Sequence, residues 1–151
     1  MSAGIMTSIE KKIPLQKAEL ENKIRSADLR PTKQRIALAE LLFATGNRHI
    51  TAEKLHGEAL DAGVRISLAT IYNNLHQFTS AGLLREVVVD ASKSYFDTNV
   101  EPHHHFFHEA NGSLEDIRSS DLTVSNIPAL PAGTKISSID VIVRVSSEKN
   151  S

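Results

Sequence analysis

Apolar residues recur at helical spacing through the first half of the chain and then switch to alternation. Ile36, Ala39, Leu42 and Phe43 lie three or four apart, so a helix is expected from Thr32, its N-cap, to about Ala44. Ahead of it, Pro14 suits the first turn of a helix reaching about Ser26, since its missing N–H is unpaired there anyway. Thr51 opens a third helix with Leu55 and Ala59 inward and Gly63 as its stop. Ser67 caps a fourth, with Leu68, Ile71, Leu75 and Phe78 as the buried stripe, ended by Gly82. Its opposite side carries Thr70, Asn73, Asn74 and Gln77, all short neutral hydrogen-bonding groups. Two β-rich runs follow, Leu84–Val89 and Ser94–Phe96, joined across Asp90-Ala91-Ser92 as a hairpin. Helices followed by a hairpin predict a winged helix-turn-helix whose fourth helix reads a groove.

The pattern changes after Asp97. Asn99, Glu101 and Pro102 mark a hinge, and His103–Phe107 and Leu114–Ile117 read as short strands. Residues 119–126 suggest a short helix, and Ile136–Val145 the strongest strand of this half. About fifty residues bury little core alone, so this part is expected to complete itself against a second copy. The predicted fold class is α+β: an N-terminal winged helix-turn-helix over 14–98, followed by a small α/β dimerisation domain over 103–145. A flexible leader at 1–13 and a tail at 146–151 flank them.

Composition narrows the picture. In 151 residues, a 40% hydrophobic and 23% charged share describes an ordinary globular protein. No apolar run approaches the ~20 residues that span a bilayer, and the start lacks the apolar stretch of a signal peptide. The absence of cysteine excludes disulfides and thiolate metal sites. The cytoplasm is the expected address, with no membrane partner. The net charge of −1 conceals a division: residues 1–85 hold 12 Lys and Arg against 8 Asp and Glu, and residues 86–151 hold 5 against 10. A basic front half suits a polyanionic partner.

The segment Ser67-Leu-Ala-Thr-Ile-Tyr-Asn-Asn-Leu75 offers hydroxyls, a phenol and amides, while Arg30, Lys33 and Arg35 flank the second helix. Asn bonds adenine in a bidentate way, and Thr or Tyr contacts a thymine methyl or a phosphate. Residue types alone describe a solvated helix face equally well. The stretches "LRPTKQRIALAELL", "HITAEKLHGEAL" and "ISLATIYNNLHQFTSAGLL", with the wing "REVVVDASKSYFD" and "HHHFFHEANGSLEDI", resemble the ferric uptake regulator (Fur) family over roughly residues 25–145. The resemblance implies a homodimer on a near-palindromic double-stranded operator. Its DNA contacts are expected from Arg30, Lys33, Arg35, Ser67, Thr70, Tyr72 and Asn73, with Tyr72 on a base or phosphate and Arg30 in the minor groove. Asn73 stands where the family usually has Arg, which bears on one phosphate contact and on the operator read.

Four of the seven histidines lie in 103–108. On a strand, His103, His105 and Phe107 share one face, and His104, Phe106 and His108 the other. Alternate imidazoles about 7 Å apart at Cα can grip one ion if other groups converge. By the same resemblance, the regulatory metal ligands fall on His49, Asp97, His103, His105 and Asp116, a mixed N/O set suited to Fe(II), Mn(II) or Zn(II). Where many relatives carry Cys-x-x-Cys-Gly for a structural zinc, this chain has His108-Glu-Ala-Asn-Gly112, so that zinc is not expected. A second histidine site of some relatives uses a position held here by Ile139.

The lost cysteines and the "HHHFFH" run resemble the iron-response regulator (Irr) branch, whose members respond to haem. Haem iron accepts axial imidazoles and its macrocycle needs apolar neighbours such as Phe106 and Phe107. Its candidate ligands are His103, His104, His105 and His108. The leading expectation is thus a regulator of iron and haem homeostasis that leaves DNA on binding haem; an enzyme of haem synthesis or another iron-pathway protein is a further expected partner. The alternative is a Mn(II)- or Fe(II)-activated, or peroxide-sensing, repressor of the same family. A His/Asp metalloenzyme is disfavoured, because no separate nucleophile or placed general base is visible. His56 and His76 read as surface or capping groups.

Overall fold

The computed structural model describes residues 16–148, in two compact units divided between Val100 and Glu101. The expected leader at 1–13, the start at Pro14 and the tail residues 149–151 lie outside the described residues.

In the first unit, side chains set the helix starts. Helix α1 (residues 16–26) precedes α2 (Lys33–Phe43), α3 (Ala52–Asp61) and α4 (Leu68–Ser80). Thr32, Thr51 and Ser67 each accept a bond from the backbone N–H three residues on, at 3.2, 3.2 and 3.1 Å. Such caps are each worth about 1 kcal/mol. Backbone geometry sets the stops. Gly63 and Gly82 take φ of +79° and +82°, and the residue after each donates back into the last turn (Val64 N to Ala59 O, 2.8 Å; Leu83 N to Phe78 O, 2.9 Å). Helix α1 ends the same way without a glycine, as Asp28 adopts φ +60° and Leu29 N reaches Ile24 O.

The expected inward stripes of α3 and α4 are buried except at Leu68, which is half-buried. Leu55, Ala59, Ile71, Leu75 and Phe78 share one core with Leu38, Leu42, Ile50 and Phe96. Ile36 is only half-buried; it packs instead on a smaller cluster of Leu20, Ile24 and Ala39, which seats α1 on α2. The hairpin forms as β2 (Arg85–Asp90) and β3 (Lys93–Asp97), with a register shift between Val88 and Asp90. Asp90 Oδ1 accepts from Ser92 N at 2.8 Å, the short-range bond that makes Asp a turn residue. A strand not expected from sequence, β1 (His49–Ile50), joins β3 and gives the order β1-β3-β2. Two residues carry no periodicity to detect.

The second unit is a three-stranded sheet ordered β5-β4-β6, from β4 (His103–His108), β5 (Ser113–Arg118) and β6 (Ile142–Val145). Strands β4 and β5 are antiparallel, and β6 runs parallel to β4. Two expectations are corrected here. The helix at 119–126 is a single 3-10 turn, Ser119–Asp121. The strand at Ile136–Val145 is confined to Ile142–Val145. The register explains this: with Ile142 opposite His105, Asp140 already faces the first residue of β4, so residues 136–139 have no partner backbone. Pro128, Pro131 and Gly133 keep the preceding stretch irregular, and Val124, Ile127, Leu130, Ile136 and Ile139 stay exposed.

Candidate nucleic-acid interface and metal-ligand clusters

The N-terminal end of α4 gathers hydroxyls. Ser67 and Thr70 share a hydrogen between Oγ and Oγ1 at 2.8 Å, and Asn73 is exposed one turn further on. Tyr72, half-buried, donates its phenol hydrogen to Glu53 Oε1 on α3 at 2.6 Å. That bond holds the Glu53 carboxyl below the usual carboxylate range and the Tyr72 phenol above its ordinary value. Arg30 and Lys33 are exposed.

Arg35, expected beside them, is tied inward instead. Its Nε donates to Asn74 Oδ1 at 3.3 Å, one terminal nitrogen donates to the Arg30 carbonyl at 3.0 Å, and the other to Gln77 Oε1. Asn74 is 6% exposed and spends its amide on Thr70 O at 2.9 Å. Asn74 and Gln77, which periodicity placed with the reading face, therefore fasten α4 to α2. No local sequence signal marks a bond spanning some forty residues, so this clamp and Glu53 were both missed. His56 and His76 also have partners: His56 Nε2 lies 2.9 Å from Ile66 O, and the His76 ring sits 5.7 Å from that of Phe96.

One metal-ligand cluster belongs to the first unit. Strand pairing sets His49 opposite Asp97, with Nε2 and Oδ2 3.2 Å apart. Asp97 is 1% exposed, and its Oδ1 accepts from Asn99 N at 2.9 Å. Reciprocal bonds between Arg48 and Thr98 (2.8 and 3.1 Å) hold the strand ends together. Arg48 itself is fixed by a two-pronged ion pair with Glu58 at 2.9 and 2.7 Å, another contact with no sequence signature.

The other cluster belongs to the second unit. Alternation brings His103 and His105 to one face, both buried, with ring centres 4.5 Å apart. Antiparallel register puts Asp116 opposite His105, and its Oδ1 lies 3.5 Å from Nε2 of each histidine. His103 Nδ1 lies 2.6 Å from the Glu101 carbonyl, which only accepts, so Nδ1 carries the hydrogen. A neutral His103 then turns a lone pair from Nε2 toward a carboxylate, two acceptors facing each other. A proton on Nε2 or a cation between them would relieve that opposition, and a carbonyl that accepts the other ring N–H of a ligating imidazole is the usual support of a metal site.

His104 has the opposite tautomer. The Val141 backbone N–H donates to its Nδ1 at 3.1 Å, which leaves the ring hydrogen on Nε2. His108 Nε2 lies 3.0 Å from Glu115 Oε2 and donates to it. The four candidate haem ligands are thus differently prepared: His103 presents a lone pair at Nε2, whereas His104 and His108 hold hydrogens there. Among the described residues no helix is long and apolar enough to cross a membrane.

Residues 26–144 match the profile of the ferric uptake regulator family. The chain is 36% identical to the ferric uptake regulation protein of Shigella flexneri over 81 residues, 54% of this chain and 55% of that protein. It is also 36% identical to the peroxide-responsive repressor PerR of Staphylococcus aureus over 107 residues, 69% of this chain and 72% of the relative. The chain thus spans about half the length of the ferric uptake regulation proteins it matches. Among solved structures, the Vibrio cholerae ferric uptake regulator aligns with TM-score 0.66 at 21% identity, over 84% of this chain and 98% of that one. The Pseudomonas aeruginosa regulator, solved with manganese, aligns with TM-score 0.64 at 21% identity, over 85% and 98%. These likenesses show a shared α+β fold, and with the sequence match they establish that the chain belongs to the ferric uptake regulator family.

Proposed function

We propose that this chain is a homodimeric, sequence-specific DNA-binding transcription regulator of the cytoplasm, and not an enzyme, whose hold on its operator is set by a divalent metal ion. The observation that carries the effector reading is the convergence of His103 Nε2 and His105 Nε2 on Asp116 Oδ1, each at 3.5 Å, in the second unit. His49, Asp97, His103, His105 and Asp116 would hold the ion as one set of three imidazoles and two carboxylates. Such a set suits Fe(II), Mn(II) or Zn(II), and all five are the positions that the family resemblance assigns. An ion that draws ligands from both units would restrict their freedom, which is how its binding would reach α4. Ser67, Thr70, Tyr72 and Asn73, with Arg30 and Lys33, would meet the duplex. The exposed Val124, Ile127, Leu130, Ile136 and Ile139 support a second copy as the cover of the second unit.

Binding of Mn(II) to the chelator-treated chain, followed by calorimetry, tests the effector. Asp116→Ala alters a half-exposed side chain, so the fold should persist, and a loss of at least tenfold in affinity is expected. Mn(II) binding equal to wild type in both Asp116→Ala and His49→Ala would sink the five-ligand reading.

Haem is the second reading. It is supported by the "HHHFFH" run in a chain without cysteine and by Phe106 and Phe107 within that run. In this reading haem binding ends DNA occupancy. Equimolar haem that leaves operator affinity unchanged, while Mn(II) tightens it, would discard haem and keep the regulator.

A further inference from the structure

Tyr72 reaches the expected reading face with its hydrogen already committed. Its hydroxyl donates to Glu53 Oε1 at 2.6 Å, and a carboxylate accepts only. The phenol oxygen therefore keeps lone pairs but has no hydrogen left to give. Phosphate oxygens, guanine O6 and N7 and thymine O4 are acceptors, so none of them can bond to it. Adenine N6 and cytosine N4 carry exocyclic amines in the major groove, and both can donate to it. The Glu53 charge also opposes close approach of a phosphate to the same point. A few ångströms of helix away, the Ser67–Thr70 pair uses one hydroxyl hydrogen internally and keeps the other, so that corner of α4 supplies a donor as well.

Building on the DNA-binding reading above, we propose that Glu53 is a specificity-determining residue: by taking the Tyr72 hydrogen it makes the phenol an acceptor, so that Tyr72 selects adenine or cytosine in the major groove. Glu53 touches no base in this scheme. It acts through Tyr72, and its position in the first turn of α3 ties the selection to the packing of α3 against α4.

The test uses the full chain, once with Mn(II) and once with chelator, equilibrated with duplexes carrying a randomised core; the bound fraction is sequenced. Wild type is expected to favour A or C over G or T about fivefold to tenfold at one position per half-site. Tyr72→Phe should lose that preference there and keep the rest of the motif. Glu53→Gln should relax it at the same position, because an amide can either accept from the phenol or donate to it. Glu53 is exposed, and Tyr72→Phe keeps the half-buried ring, so unchanged helical circular dichroism is expected. Three results would overturn the proposal: a Glu53→Gln motif identical to wild type, a Tyr72→Phe motif identical to wild type, or a Tyr72→Phe loss shared equally by all sequences with a shallower salt dependence. The last marks a phosphate contact. A wild-type chain that enriches no motif in either condition fails the DNA-binding reading itself and takes this proposal with it.

Discussion

Replacing His104 by leucine removes the acceptor for the Val141 amide, which donates to Nδ1 at 3.1 Å just before β6 begins. Val141 is half-buried, so its N–H does not simply turn to bulk water when the imidazole goes. A neutral hydrogen bond of this kind is worth about 1 kcal/mol net, which corresponds to roughly a fivefold change in the population of the open state. Amide hydrogen exchange followed by NMR should show Val141 exchanging about fivefold faster in His104→Leu, with the β4–β5 ladder unchanged. His104→Asn should keep the wild-type rate, because its carboxamide oxygen can accept where Nδ1 did. Equal Val141 rates in wild type and His104→Leu would refute the tautomer assignment. The same measurement bears on haem. Iron bound at His104 Nε2 forces the ring hydrogen onto Nδ1, where it meets the Val141 N–H donor to donor. Haem ligation at His104 and protection of Val141 therefore exclude each other, and a haem spectrum that depends on His104 with Val141 protection intact would contradict the argument.

Arg35→Ala should lower stability by about 2 kcal/mol in urea unfolding, because the nearly buried Asn74 Oδ1 loses a charged donor. A change below half that size would show that α4 is held without the clamp. Asp28→Gly should stabilise by roughly 0.5–1 kcal/mol, since φ +60° strains any residue with a Cβ, and a lower urea midpoint would refute it. Gly82→Ala should cost about 1 kcal/mol through φ +82° alone, as nothing stands within 4 Å of the added carbon. The Tyr72–Glu53 bond should make stability depend on pH at both ends. Glu53 titrates lower in the folded chain, so its contribution is present above the ordinary carboxylate range and fades as pH falls through the lowered value. Tyr72 titrates higher, so its contribution is present below pH ~10 and fades as pH rises through the raised value. A wild-type minus Glu53→Gln stability difference that stays flat through both limbs would count against the bond.

Helices α3 and α4 were legible because each carries three agreeing local signals: a capping Ser or Thr, a 3.6-residue apolar stripe and a stop. Helix α4 has all of them within sixteen residues, Ser67 to Gly82. Strands were legible only where alternation ran long enough. Strand β4 runs six residues, whereas β1 has only two. The second half misled for a different reason. Ile136–Val145 is rich in Ile and Val, but a strand exists only against a partner, and β4 is too short to supply one before Asp140. Local propensity cannot report the length of a neighbour.

The histidine run shows the same limit inside the candidate site. Period-two alternation correctly separated His103 and His105 from His104, because facing is a local property of the chain. What each ring can do depends on the atom that meets Nδ1, and that atom comes from elsewhere: the Glu101 carbonyl, at the turn into β4, for His103, and the Val141 amide, 37 residues away, for His104. A carbonyl makes Nε2 a ligand, and an amide makes it a donor. Two adjacent identical residues are thus different reagents in the fold, and a metal that needs neutral lone pairs would discriminate between His103 and His104 before any difference in their exposure mattered.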